Sequence, residues 1–298
     1  MISVKDLRFT YPGGTRALDG VSFEVPEGSF LAIMGANGSG KSTLLKHLNG
    51  LLGAQSGRVL VAGMEIGHKN FDEVNRTVGF VFQDPNDQIF APTVRDDICY
   101  GPRNLGLSEE EVERRLERAA EQVAITELLE RPIHHLSYGQ KKRLSIAGVL
   151  AMEPRVLVLD EPTASLDPMG EKRIMRILLE LNRAGMTVVM ATHDVDLVPL
   201  YADRVCLLRA GRVAVEGRLR EVFGDPELIE RCHLRLPRIA YLFDMLPNIT
   251  ELPLTVGMAR RKLEELLATS GGASVAEAIA TRSGGFAKGI REEASREL

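Results

Sequence analysis

Gly35-Ala36-Asn37-Gly38-Ser39-Gly40-Lys41-Ser42 follows the apolar run that begins at Phe30 and opens a helical pattern over Lys41–Leu52. Glycines at this spacing let the backbone turn tightly enough for its N–H groups to face a phosphate. The N-terminus of the helix behind them adds a favourable partial positive charge. Lys41 is placed to reach the β and γ phosphates of a nucleotide, and Ser42 to ligate Mg²⁺. A lone glycine-rich turn before a helix would be unremarked. Strand, turn and helix in this order give the phosphate-binding pattern its context.

The fold class follows from what surrounds this stretch. Apolar, β-rich segments recur at Val21–Val25, Phe30–Gly35, Arg58–Val61, Val78–Phe82, Val156–Asp160, Thr187–Thr192 and Arg204–Leu208. Several are continuous apolar runs, as in strands covered on both faces. Helical patterns at Lys41–Leu52 and Met169–Arg183 alternate with them, which predicts an α/β core with a largely parallel sheet. Val4–Tyr11 and Val21–Val25 flank the turn Pro12-Gly13-Gly14 and predict an N-terminal antiparallel β subdomain. Strand signals vanish between residues 93 and 152. There Ser108, followed three residues later by Glu111, reads as a capping box before the helical spacing of Val112, Leu116, Ala119, Ala120 and Val123. This region is expected to be a helical insertion. Residues 208–217 read as a hairpin.

The remaining composition is that of an ordinary soluble protein: 298 residues, 44% hydrophobic, 26% charged, net charge -4. Nothing in that balance favours nucleic acid, and with no tryptophan and 5% aromatics base-stacking platforms are not expected. No apolar run approaches the ~18–20 residues of a membrane span, and the first residues lack the plan of a secretory signal. The chain is therefore expected neither to cross nor to leave through a membrane. Cys99, Cys206 and Cys232 have no metal-ligand spacing and suit a reducing compartment.

Further chemistry gathers at strand ends. Val156-Leu157-Val158-Leu159-Asp160-Glu161 is an apolar strand closing on two carboxylates. Asp160 is placed to hold Mg²⁺ and Glu161 to polarise an attacking water. Leu136-Ser137-Tyr138-Gly139-Gln140 precedes a helical pattern over Lys141–Met152, with Ser137 able to act as its N-cap. Lys141-Lys142-Arg143, at the start of that pattern, reads as a solvated face or as cations near phosphate.

With these motifs in order, the chain resembles the ATP-binding-cassette ATPases over residues 1–220. Their signature reads Leu-Ser-Gly-Gly-Gln, and here Tyr138 stands at the first glycine while Gly139 is kept. The resemblance implies ATP and Mg²⁺ as cofactors. It assigns nucleotide contacts to Gly35, Ala36, Asn37, Gly38, Ser39, Gly40, Lys41, Ser42 and Thr43, and adenine stacking to Tyr11. It makes Gln83 the loop glutamine that senses Mg²⁺ and water, and Glu161 and His193 the catalytic carboxylate and the histidine at the γ-phosphate. Metal contacts fall to Ser42, Gln83 and Asp160. Ser137, Gly139 and Gln140 are assigned to the ATP of the opposite subunit, and Ser165-Leu166-Asp167 to the subunit interface. One copy of each motif implies a second ATPase subunit, identical or paralogous.

A long coiled coil between the phosphate loop and the signature, as in chromosome-associated members, has no room here, because Lys41 and Ser137 are 96 positions apart. The stretch Asp84–Val94 looks like that of energy-coupling-factor transporter ATPases, where it helps to receive a helix of a membrane subunit. Residues 225–243 look most like the cobalt/nickel branch of that group. The implied protein is an ATP-hydrolysing motor, peripheral on the cytoplasmic face of the cell membrane and bound to integral membrane subunits. A vitamin importer of the same type and a soluble non-transport cassette are the alternatives. Its expected domains are 1–224, with a helical subdomain at 93–152, and an extension at 225–298. In that extension Ile239, Leu242, Phe243 and Leu246 form an apolar stripe suited to a dimer contact. Ala259, Leu263, Leu266 and Leu267 form a shorter stripe, and the end, 270–298, is expected to be poorly ordered.

Overall fold

The computed structural model describes residues 1–246, 249 and 251–270; the predicted disorder beyond 270 lies outside them. In chain order, strands β1 (Ile2–Thr10), β2 (Arg16–Val25) and β3 (Phe30–Met34) precede helix α1 (Lys41–Leu48). Then come β4 (Ser56–Val61), β5 (Met64–Glu65), α2 (Phe71–Thr77) and β6 (Val78–Val81). The helices α3 (Val94–Asn104), α4 (Glu109–Gln122) and α5 (Tyr138–Leu150) follow. After them lie β7 (Val156–Asp160), α6 (Pro168–Arg183), β8 (Thr187–Thr192), α7 (Val198–Tyr201), β9 (Arg204–Arg209) and β10 (Arg212–Arg218). The chain closes with α8 (Leu219–Phe223), α9 (Pro226–Arg231), α10 (Arg238–Asp244) and α11 (Val256–Ser270).

Two compact units emerge among the described residues: 1–194 with 201–218, and 195–200 with those from 219 to 270. The first carries both sheets. One is antiparallel, in the order β2-β1-β4-β5. The other runs β10-β9-β3-β8-β7-β6, parallel except for the β9–β10 hairpin. Every residue of β3, β7 and β8 is buried, which is why these strands read as unbroken apolar runs.

Helix α1 lies in the core shared by the two sheets. Its Leu44, Leu45 and Leu48 are fully buried in one cluster with Val4 and Val21 of the antiparallel sheet and Val158 and Val189 of the parallel one. Each such side chain contributes about 1.5–3 kcal/mol when wholly buried. The helix that begins at the glycine-rich loop is thereby fixed from both sides. It is shorter than its sequence pattern, ending at Leu48 before Gly50 at φ 80°.

The helical insertion is present, with one isolated antiparallel bridge between Thr93 and Pro132. At its second helix only half of the expected capping box forms. Ser108 accepts from the Glu111 amide, but the Glu111 carboxylate turns to Arg114 and Arg115 instead.

In the second unit the expected stripe is not one buried face. Leu242 is 62% exposed, whereas Ala240 and Phe243 are buried, with Leu236 just before the helix. Helix α10 spans only seven residues, starting after Pro237. Its inward line therefore falls on 236, 240 and 243, and the small Ala240 takes a position that a count of large residues overlooks.

Candidate nucleotide site

The glycine-rich loop joins β3 to α1 and is held by close backbone approaches. A Cβ at Gly35 would stand 2.2 Å from the Leu208 carbonyl oxygen. Gly40, the N-cap of α1, has φ 104°, and a Cβ there would meet the Ala17 carbonyl at 2.5 Å. Neither position admits a side chain without moving β2 or β9. Lys41 folds back over the loop, its Nζ donating to the carbonyls of Gly35 at 2.8 Å and Ala36 at 3.2 Å. Burial pulls its ammonium pKa down, against the pull of the Glu161 and Asp160 carboxylates.

A cleft of about 410 Å³ opens above this loop. Asn37, Gly38, Gly40, Lys41, Ser42 and Thr43 form its floor, and Tyr11, Gln83, Glu161 and His193 stand around it. Residues from five separate stretches of sequence thus converge on one space. Tyr11 is 37% exposed at the rim, its hydroxyl 3.1 Å from Thr43 Oγ1 and its ring edge-on to Phe9. Gln83 is exposed in the loop after β6.

At the end of β7 the chain turns sharply. Glu161 has φ 45°, a left-handed conformation that a non-glycine residue adopts at a cost of about 1–3 kcal/mol. Asp160 and Glu161 are both buried there. Glu161 Oε1 accepts a hydrogen bond from His193 Nδ1 at 2.9 Å. Asp160 Oδ1 is buried with no hydrogen-bond partner, as is Ser39 Oγ in the loop. Orphaned buried oxygens are expensive. A carboxylate oxygen in that condition, near a phosphate-shaped loop, has the chemistry of a divalent-cation ligand. The residues present therefore fit a nucleotide with Mg²⁺.

The signature residues are not part of this cleft. Ser137, Gly139 and Gln140 line a second one, of about 220 Å³, together with Asp167, Gly170 and Arg173. Ser137 and Gln140 cap α5 reciprocally: the Gln140 amide donates to Ser137 Oγ at 3.3 Å, and the Ser137 amide to Gln140 Oε1 at 2.8 Å. Asp167 caps α6 in one direction only, accepting from the Gly170 amide at 2.7 Å.

Comparison with known proteins agrees with this geometry. The ABC transporter family matches residues 18–164. The energy-coupling factor transporter ATP-binding protein EcfA of Methanocaldococcus jannaschii is 49% identical over 273 residues, which cover 90% of this chain and 98% of the relative. The chain belongs to the ABC transporter ATP-binding proteins. It is an ATPase. EcfA of Methanosphaera stadtmanae is 47% identical over 87% of this chain and 96% of its own length. Among solved structures, CbiO1 from Clostridium perfringens, part of the ABC transporter complex CbiONQ, superposes with a TM-score of 0.71 at 45% identity, covering 82% of this chain and 98% of its own. An ATP-binding cassette solved as a dimer after hydrolysis, with ADP and Pi, superposes at 0.67 with 31% identity, covering 74% of this chain and 99% of its own.

Within this cassette some positions lay beyond sequence reasoning. Thr15, Arg16 and Ala17 also line the cleft. They carry no motif, and only the return of β2 beside β1 brings them there. Two residues of the basic run after the signature do not lie on a solvated face, although Arg143 also lines the second cleft. Lys142 is wholly buried and Arg143 is 7% exposed. Arg143 donates to the carbonyls of Val123 and Ala124, just past the end of α4, where carbonyls lack helical partners.

Proposed function

We propose that this ATPase is the motor of an energy-coupling-factor type importer whose cargo is cobalt or nickel. The observation that carries the reading is the near full-length likeness to EcfA and to CbiO1, extending past the cassette into the C-terminal unit. Supporting it, Phe90 and Tyr100 form an edge-on aromatic pair, 65% and 50% exposed, just beyond the Gln83 loop. That is the place where the sequence resembles the stretch receiving a membrane helix. No described helix is long and apolar enough to cross a membrane; the likeness to transporter ATPases supports a motor that acts from the cytoplasmic face through integral membrane subunits.

In the cycle, Lys41 and the amides of 37–43 bind the phosphates and Tyr11 stacks on the adenine. Asp160, with Ser42 and Gln83, would hold Mg²⁺, which when bound offsets phosphate charge. Glu161 takes the proton of the attacking water, and His193 orients that carboxylate and meets the γ-phosphate. Ser137, Gly139 and Gln140 close the site of the opposite subunit, so two chains, identical or paralogous, enclose two ATP molecules. Mass spectrometry of partners co-purified from detergent-solubilised membranes, with cobalt and nickel uptake measured in cells lacking the gene, tests the reading. A multi-spanning partner with lost metal uptake supports it. Loss of vitamin uptake instead, or no membrane partner at all, overturns it.

A further inference from the structure

The loop that carries Gln83 is fastened to the signature helix by side chains. Strand β6 leaves its ladder at Val81, and the backbone of Phe82 and Gln83 continues without a neighbouring strand. Their carbonyls are met by Lys142 Nζ, which donates to Phe82 at 3.4 Å and to Gln83 more closely. The Phe82 amide donates to Gln88 Oε1 at 3.1 Å, and Gln88 Nε2 donates to the Ser145 carbonyl of α5 at 2.8 Å. Lys141 reaches Asn86 Oδ1 at 2.9 Å. All these fastenings end on α5, the helix capped by Ser137.

Lys142 is the unusual member. It is fully buried, and no carboxylate lies within ion-pair distance of it among the described residues. Burial pulls its ammonium down to about 8, with Asp84, Asp160 and Glu161 opposing at longer range. A buried cation without an ion-pair partner is costly. Stability alone therefore gives no reason for a lysine here. What the ammonium supplies is a fixed position for two carbonyls of a loop whose Phe82 is half-buried and Gln83 exposed, where mobile water would otherwise serve them.

We propose that Lys142 is a positioning residue for ATP hydrolysis, locking the backbone at Gln83 to the signature helix. The inference rests on the reading of Gln83 as a ligand-sensing residue of its own cleft. Ser137 is five residues from Lys142, about 7.5 Å along α5. A shift of Gln83 caused by the nucleotide in one cleft is therefore passed to the residues that close the other. Lys142 lines neither cleft and acts through Gln83.

The test is steady-state ATP hydrolysis by Gln83→Ala, Lys142→Met, Lys142→Gln and the double variant Gln83→Ala with Lys142→Met, each with its melting temperature and ATP affinity. Lys142→Met should lower kcat by about 10- to 100-fold, the scale of a misplaced group, with KM and melting temperature near wild type. Lys142→Gln keeps an N–H donor and should recover part of that loss. In the double variant the two losses should not multiply, because both remove one function. Wild-type kcat in Lys142→Met beside a slow Gln83→Ala overturns the role of Lys142 and leaves that of Gln83 standing. Multiplying losses overturn it too. Wild-type kcat in Gln83→Ala sinks the reading of Gln83, and the lysine's role with it. Should Lys142→Met fail to fold, Lys142→Gln and its double variant carry the same comparison.

Discussion

His193 Nδ1 donates to Glu161 Oε1 across 2.9 Å, joining a side chain that is 62% exposed to one that is 10% exposed. The carboxylate is held at the wall of the cleft while the imidazole faces the opening. Glu161→Gln keeps the shape and an oxygen to accept from His193 but removes the base. Phosphate release should fall by ~10²-fold or more, as for loss of a general base. ATP affinity, read by calorimetry, should stay near wild type. With ATP trapped, light scattering should register a dimer. Wild-type turnover would remove Glu161 from its role.

Lys41 gives the opposite pattern. Its ammonium is buried and bonded to two loop carbonyls, so the loop already holds a cation where phosphate charge is to be met. Lys41→Ala removes a charge-assisted contact of about 1.5–3 kcal/mol. The Kd for ATP should rise by roughly 10- to 150-fold, and ATP should no longer raise the melting temperature at concentrations that saturate the wild type. Unchanged affinity would mean that the loop amides bind the phosphates unaided.

His47, beneath the loop on α1, makes stability depend on pH. It is 1% exposed, with Nδ1 donating to the Thr43 carbonyl at 2.8 Å. Burial holds its imidazole below the usual 6.5, against the carbonyls of Thr43 and Gly53. The folded chain therefore binds fewer protons at this site than the unfolded chain in the window below 6.5. Stability is fully present above that value and falls as pH drops through it towards the folded pKa. Between pH 7 and 5 the melting temperature of the wild type should fall more steeply than that of His47→Gln. Parallel curves would exclude the imidazole as the cause.

How much of this could be read in the chain depended on whether the deciding contacts were local. Val156–Asp160 and Thr187–Thr192 have the bounds that their apolar runs predict, because a strand covered on both faces leaves polar residues only at its ends. The phosphate loop, Gln83, Glu161 and His193 stood out by motif, and the parallel sheet brings them to one cleft. The signature helix has Ser137 as its N-cap, as the sequence allows, and so starts at Tyr138, three residues before the helical pattern at Lys141. Lys142 and Arg143 were misread because charge implies solvent locally, while their partners are carbonyls 59–60 and 19–20 positions away. Nothing in a helical spacing announces that a lysine will find two carbonyls at a strand end.

The C-terminal unit offers a test of its own. We take it to add a subunit contact outside the ATP sites, which would hold two motors together while nucleotide exchanges. Within α10 the side chains divide by exposure: Phe243 is 2% exposed, whereas Tyr241 and Leu242 are 45% and 62% exposed. Phe243→Ala should lower the melting temperature whatever the association state, since deleting a buried phenyl costs about 3–5 kcal/mol. Leu242→Asp alters an exposed side chain, where substitutions usually change stability by no more than ~0.5 kcal/mol. If α10 joins two subunits, Leu242→Asp should yield monomers without ATP, at unchanged melting temperature of the cassette, by sedimentation velocity. A dimer that survives Leu242→Asp, or a wild type that is monomeric without ATP, would confine α10 to its own subunit. The ATP sites would then be the remaining place for subunits to meet.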